Sequence, residues 1–206
     1  MRRLGTAEVV GLLTTVTSDY GRVSMHGVRE EVLAAQAEST GLSSIAVRIP
    51  AGCTNAGYEH AFLTAVAAAR DDGVEQIVFG DLFLEDIREY RERILSGSGM
   101  VPVFPLWGRD TGDLAREMLD GGLRATVVCV DPERLPAGTA GLDWDSSLLA
   151  DLPAGVDPCG ENGEFHTCAT DGPMFAGPLP LRRGETVARD GFVFADLVLK
   201  GPARQA

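Results

Sequence analysis

The chain has 206 residues, 45% hydrophobic and 23% charged, which fits one globular core or one domain with a small annex and excludes a disordered chain. Its net charge of −12 disfavours non-specific nucleic-acid binding, and no apolar run approaches the roughly 20 residues that span a bilayer. Seventeen arginines stand against a single lysine, Lys200, so neither a Walker A loop nor a Schiff-base lysine is expected; GxSxG and HExxH stretches are absent too. Arg2 and Arg3 open no signal-peptide pattern, and the expected compartment is the cytoplasm, with no membrane partner.

In chain order, Arg2, Arg3 and Leu4 followed by Gly5 read as the last turn of a helix, with cations and a glycine where a helix C-terminus favours them. Glu8–Val16 then reads as a buried strand, and Val28–Thr40 as a helix stopped by Gly41. Ser44–Ile49 is a strand ended by Pro50. Tyr58, Phe62, Ala65, Val66 and Ala69 share one face of a helix that Asp72 and Gly73 terminate. Glu75–Phe79 is a strand, Leu84–Leu95 a charged amphipathic helix, and Val101–Phe104 a strand flanked by proline. Thr111 is expected to cap a helix ending at Gly121 and Gly122, before a strand over Arg124–Val130.

Such alternation, with apolar strands that do not alternate polar and apolar positions, indicates a parallel sheet covered on both faces, with ligands beyond the strand carboxyl ends; about five strands are expected here, with the central position exposed or poorly covered because the chain reads as starting inside an element. From Asp131 the composition becomes rich in Pro and Gly. A short helix over Ser146–Leu152 and strands over Glu164–Thr170, Pro180–Arg189 and Phe192–Leu199 are expected, with Asp190-Gly191 as a hairpin turn. This part reads as a small α+β annex.

Three clusters could carry chemistry. Gly80-Asp81 through Asp86 and Arg88 follow a strand and open a helix, where backbone N–H groups favour anions; acids there suit a Mg²⁺ ion shared with a nucleotide. Without a ligand, Asp81 is instead an N-cap and Asp86 a first-turn acid. Arg88, Arg91 and Arg93 offer a phosphate patch or, more plainly, a charge-paired helix face. Asp157 to Thr167 gathers Glu161, Asn162, Glu164 and His166 around glycines, as an acid/base pair or amine site would, or as a polar turn would. Arg22 to Gly27 places His26 at a helix start, either toward a ligand or within the structure. Of the four cysteines, Cys129 reads as core. Cys159, His166 and Cys168 match no standard zinc spacing, and Cys53 has no CxxC partner.

The stretches GLLTTVTSDYGRVSMHGVR, VFGDLFLEDIREYRER, PLWGRDT, DPCGENGEFHT and DGPMF resemble the diphthine–ammonia ligase-like family of PP-loop ATP pyrophosphatases, also called adenine nucleotide alpha hydrolase-like proteins. The most specific part is Gly160-Glu161-Asn162-Gly163-Glu164-Phe165. The resemblance implies an α/β fold with a parallel, doubly wound, HUP-like sheet over residues 1–130 and a small substrate-binding α+β annex over residues 131–206. It implies ATP-dependent adenylation of a carboxylate and attack by ammonia; in relatives that modify elongation factor two the product is diphthamide. The family's Ser-Gly-Gly-Lys-Asp-Ser loop has no counterpart here, so the first strand and helix are expected to be missing and ATP turnover impaired. Two alternatives are a non-catalytic ligand-binding remnant of the fold and an ATP-dependent transferase acting on a nucleic acid.

The clusters and the resemblance together nominate Glu161, Glu164 and His166 as catalytic groups. They nominate His26, Gly80, Asp81 and Arg91 for nucleotide binding, and Asp86 as a Mg²⁺ ligand, with ATP and Mg²⁺ as cofactors. The implied partners are a small-molecule or protein carboxylate and an ammonia donor; a homo-oligomer is compatible with this. The loops bearing Ser24–Gly27, Gly80–Asp86 and Glu161–Thr167 are expected to meet at one cleft.

Overall fold

A computed structural model of the chain describes Gly5 and residues 7–201. Its elements in chain order are β1 (Gly11–Thr17), β2 (Arg22–Val23), α1 (Glu30–Thr40), β3 (Ser43–Ile49), α2 (Asn55–Asp71), β4 (Gln76–Val78), α3 (Glu85–Leu95), β5 (Val101–Val103), α4 (Thr111–Asp120), β6 (Arg124–Val130), β7 (Asp143–Trp144), α5 (Ser146–Asp151), β8 (Phe165–Asp171), β9 (Leu181–Arg189) and β10 (Phe192–Leu199). The helix turn expected over Arg2–Leu4 lies outside the described residues, while Gly5 has the positive φ, 62°, expected of it. Among the described residues no helix is long and apolar enough to cross a membrane.

The chain divides into two compact units: one comprises residues up to Tyr20 together with Leu42–Asp110, the other Gly21–Gly41 together with residues from Thr111 onward. These units group the chain by packing and do not coincide with the expected division at residues 130 and 131. The reason is packing: α1, α4 and β6, all expected in the nucleotide-binding domain, bury their apolar faces within the second unit.

In the first unit the sequence-predicted parallel pairings form. β1 pairs with β3 from Gly11↔Ser43 to Thr17↔Ile49 without a shift in register, and β4 pairs with β5 from Gln76↔Val101 to Val78↔Val103. No described strand joins these two pairs, so the continuous five-stranded parallel sheet is not observed. Helix α2 starts where Thr54 accepts a hydrogen bond from the Gly57 N–H at 3.2 Å, an N-cap that satisfies one orphan donor. Its buried Phe62, Val66 and Ala69 recur at helical spacing and pack with Ile94 and Leu95 of α3 and with Met100. Leu13 of β1 and Ile77 of β4 lie against this core. The opposite character shows at Ile45, Val78 and Val101, strand residues 37%, 45% and 54% exposed.

The second unit is organised on β6. Its residues Ala125 to Val130 are all buried. Ala125 and Val127 join a core with Ala115, Leu135, Trp144 and Phe165, whereas Val128 joins a second core with Val28, Val32, Cys168 and Leu197. β6 is covered on both faces, as its unbroken apolar run implied, yet every partner is antiparallel. β8 runs along it from Arg124↔Asp171 to Val130↔Phe165. β7 at Ala125–Thr126 and β10 at Cys129–Val130 share the other edge. Burial on both faces thus arises here from two apolar clusters around an antiparallel sheet, not from the crossovers of a parallel one. The β9–β10 hairpin turns at Asp190 and Gly191, both at positive φ, 52° and 85°, as the sequence predicts.

Candidate functional site

The segment Asp157–Glu164 in the second unit is a loop closed by its own carboxylates. Asp157, 8% exposed, accepts the N–H of Cys159 at 3.1 Å and of Glu161 at 2.9 Å through Oδ2. The Gly160 N–H donates to the Asp157 carbonyl at 2.9 Å and the Gly163 N–H to the Gly160 carbonyl at 3.0 Å. Gly160 sits at φ 71°, and a Cβ there would fall 2.5 Å from the Phe165 carbonyl oxygen, so no side chain fits.

Glu164 is fully buried. Its Oε1 accepts the Asp157 N–H at 3.0 Å and the Asn162 side-chain amide at 3.0 Å, which ties the two ends of the loop together. Its Oε2 is buried with no hydrogen-bond partner. Burial works against ionisation, but N–H donors led by Asp157 and Asn162 outweigh it and hold the carboxyl below its ordinary range. Glu164 is therefore a clasp inside the loop, while Glu161 lies half-buried at its rim.

His166, on β8, meets His26, on the turn that follows β2; their ring centroids are 4.5 Å apart with an interplanar angle of 28°. The turn is held by N–H bonds from Val23 to the Val28 carbonyl at 2.8 Å and from Gly27 to the Val23 carbonyl at 2.9 Å, with Met25 at φ 64°. Burial lowers the pKa of both rings. His166 falls to about 4, helped by the proximity of His26, and a hydrogen bond with the Thr167 backbone only partly offsets the lowering at His26. Both rings are neutral at pH 7, which suits them to hydrogen bonding rather than to neutralising a phosphate.

The other cluster lies in the first unit. Asp81 and Arg91 approach to 3.5 Å with side chains 15% and 27% exposed, and the facing atoms, Asp81 Oδ2 and Arg91 Nε, are buried without hydrogen bonds. The Arg91 guanidinium also lies 4.8 Å from the centre of the Phe79 ring. Arg88 pairs with Glu92 at 2.8 Å between the rings of Phe104 and Trp107, and Arg93 pairs with Glu59 at 3.3 Å. The three arginines are thus the charge-paired face. The N-cap position of α3 belongs to Leu84, with no side-chain cap bond, so Asp81 is not the cap. Gly80 and Asp86 are exposed, and Asp86 stands in the first turn of α3.

Among the described residues no group of three or more His, Cys, Asp or Glu side chains could hold a metal ion. Cys168 is occupied otherwise: the Gln36 amide donates to its Sγ at 3.3 Å and to the Ala169 carbonyl at 2.7 Å. Burial pushes the Cys168 and Cys159 thiols up to about 12 and that of Cys129 to about 11, with nearby carboxylates adding to the rise at Cys159 and Cys129, so none is a thiolate at neutral pH.

The sequence reading missed the carboxylate of Asp196 on β10, which holds both Arg22 and Arg29. The available signal was a single acid within the apolar strand FVFADLVL.

Residues 110–201 match a family model described as the diphthamide synthase C-terminal domain. The human diphthine–ammonia ligase is 30% identical over 129 residues, covering 59% of this chain and 48% of the relative. The rat diphthine–ammonia ligase is 28% identical over 127 residues with the same coverage, and the bovine one 29% identical over 129 residues. The chain spans about half the length of the curated relatives it matches. By this matched domain and these relatives, the chain is similar to diphthine–ammonia ligases.

Proposed function

We propose that this chain is a cytoplasmic ATP-dependent amide ligase-like protein of the kind that adenylates a carboxylate and transfers ammonia to it, with ATP turnover impaired in the chain as it stands. The observation that carries the reading is the self-clasped loop Asp157–Glu164 beside the His26–His166 pair, within the region matched to the diphthamide synthase C-terminal domain. In this reading the second unit handles the carboxylate and the amine. Glu161 at the loop rim and the neutral imidazoles are the groups available to orient an amine and to accept its proton. Glu164, being fully buried, acts by holding the loop.

The first unit, with its parallel β1–β3 and β4–β5 pairs, is read as the nucleotide side of a doubly wound, PP-loop-type sheet. Its residues fit Mg²⁺ only as an ion shared with phosphates, through exposed Asp86. They do not fit a triphosphate cradle. The single lysine is Lys200, and Arg88, Arg91 and Arg93 are already engaged with carboxylates. That misfit favours a second reading, a ligand-binding protein that keeps the carboxylate and amine site without turnover. The two readings separate in an assay of AMP release from Mg²⁺-ATP with ammonium and a panel of carboxylates. Slow, carboxylate-dependent release supports the impaired ligase; carboxylate binding by calorimetry with no release supports the binding protein.

A further inference from the structure

We propose that Asp196 is a positioning residue that fixes His26 against His166 by gripping Arg22 and Arg29; the inference rests on the reading of the histidine pair as part of the site. Arg22 and Arg29 face each other across a β-bridge at the mouth of the turn Ser24–Gly27. One carboxylate holds both. Arg29 donates from Nε to Oδ1 at 3.0 Å and from Nη2 to Oδ2 at 2.7 Å, a two-point fork on the carboxylate. Arg22 donates from Nη1 to Oδ1 at 2.9 Å and to the Gly27 carbonyl at 2.6 Å, so the same guanidinium reaches both the anchor and the residue that follows His26.

The anchor is itself built. Ala195 pairs with Thr186 and Leu197 with Arg183, so two residues of β9, Gly184 and Glu185, stand opposite Asp196 alone. This is a β-bulge, which re-aims a side chain. At Gly184 a Cβ would fall 3.0 Å from the Asp196 Cβ and 3.1 Å from its Oδ2, so the glycine leaves room for the carboxylate. Two residues earlier on the same strand, Phe194 packs where a Cβ on Gly27 would fall, 2.7 Å from its Cδ1. Strand β10 thus grips the His26 turn twice, by charge and by shape. Burial disfavours the Asp196 anion, but hydrogen bonds from Arg29 and Arg22 outweigh it and hold the carboxyl below its usual range.

The test reads the rings directly. The chain has three histidines, so its imidazole resonances are few, and His60 serves as an internal control. In Asp196→Asn, ring-to-ring contacts between His26 and His166 should weaken at least twofold, and both rings should titrate closer to the ordinary histidine range while His60 is unchanged. Arg29→Lys, which keeps the charge and loses the fork, should move them the same way by less, and Asp196→Glu should restore part of the contact; these two carry the test should Asp196→Asn not fold. Folded variants in which the rings keep their contact and titrations overturn the proposal. Because the readout needs no turnover, it stands apart from the functional reading: rings that move without any change in AMP release or carboxylate binding would instead count against the histidine pair as part of the site.

Discussion

The α-carbon of Gly27 lies against the ring of Phe194, so closely that a Cβ on residue 27 would fall 2.7 Å from Cδ1. Gly27 also has φ 70°. Gly27→Ala therefore incurs both a left-handed backbone penalty and a clash with a ring, a loss of about 2–4 kcal/mol. Gly163→Ala is the control: it shares the positive φ, 82°, but its Cβ would meet nothing within 4 Å, so only the backbone penalty of about 1 kcal/mol applies. Urea unfolding of the two variants checks the difference.

Removing the Glu164 side chain should also destabilise the fold. Glu164→Ala leaves the Asp157 N–H buried and unpaired and opens a cavity at a fully buried position. A loss of about 2–5 kcal/mol is expected. Glu164→Gln keeps an acceptor at Oε1 and should lose less. Asn162→Ala removes an exposed side chain and leaves Glu164 Oε1 still holding the Asp157 N–H, so it should lose under about 1 kcal/mol. Chemical denaturation ranks the three.

Acid should unfold the second unit through the histidine pair. Both rings have folded-state pKa values below the ordinary 6.5, His166 near 4, so the unfolded chain binds more protons across that interval. Stability is then present above pH 6.5 and is lost as pH falls toward 4. The full slope from one ring is about 1.4 kcal/mol per pH unit, and partial exposure lowers it. In His166→Gln the denaturation midpoint should fall less between pH 6.5 and pH 4.5 than in the native chain.

Much of this was legible in the chain itself. Thirteen residues after β1, Glu30 opens α1, and Gly41 closes it at φ 67° as its position predicts. The charged face of α3 and the Asp190-Gly191 turn were readable for the same local reasons. What could not be read was partnership. The unbroken apolar run of β6 reports burial on both faces, and a parallel sheet and an antiparallel sheet between two clusters impose that equally. β2 and β7, of two residues each, carry no periodicity. In the site, the glycine-rich loop was visible as a cluster of polar groups, but the burial that turns Glu164 into a clasp depends on the distant Phe165–β6 pairing. Asp196 and the two arginines it joins are 174 and 167 residues apart, beyond any local motif.

Asp86 provides a prediction that separates binding from chemistry. In a form of the protein extended upstream by a segment bearing Gly-Gly-Lys-Asp, Asp86→Asn should lower AMP release at least tenfold while changing ATP affinity about threefold or less, as expected of a carboxylate whose ion acts in the reaction more than in the ground state. Steady-state AMP release and calorimetry on the same preparations give both numbers.

The most direct test of the account is calorimetric titration of Mg²⁺-ATP into this chain and into that extended form. This chain should bind at least tenfold more weakly, a difference of about 1.4 kcal/mol or more, because it offers paired arginines and no lysine-bearing, glycine-rich donors. Equal, tight binding by the two forms would overturn this and would mean that residues of this chain hold the phosphates without a lysine-bearing, glycine-rich loop.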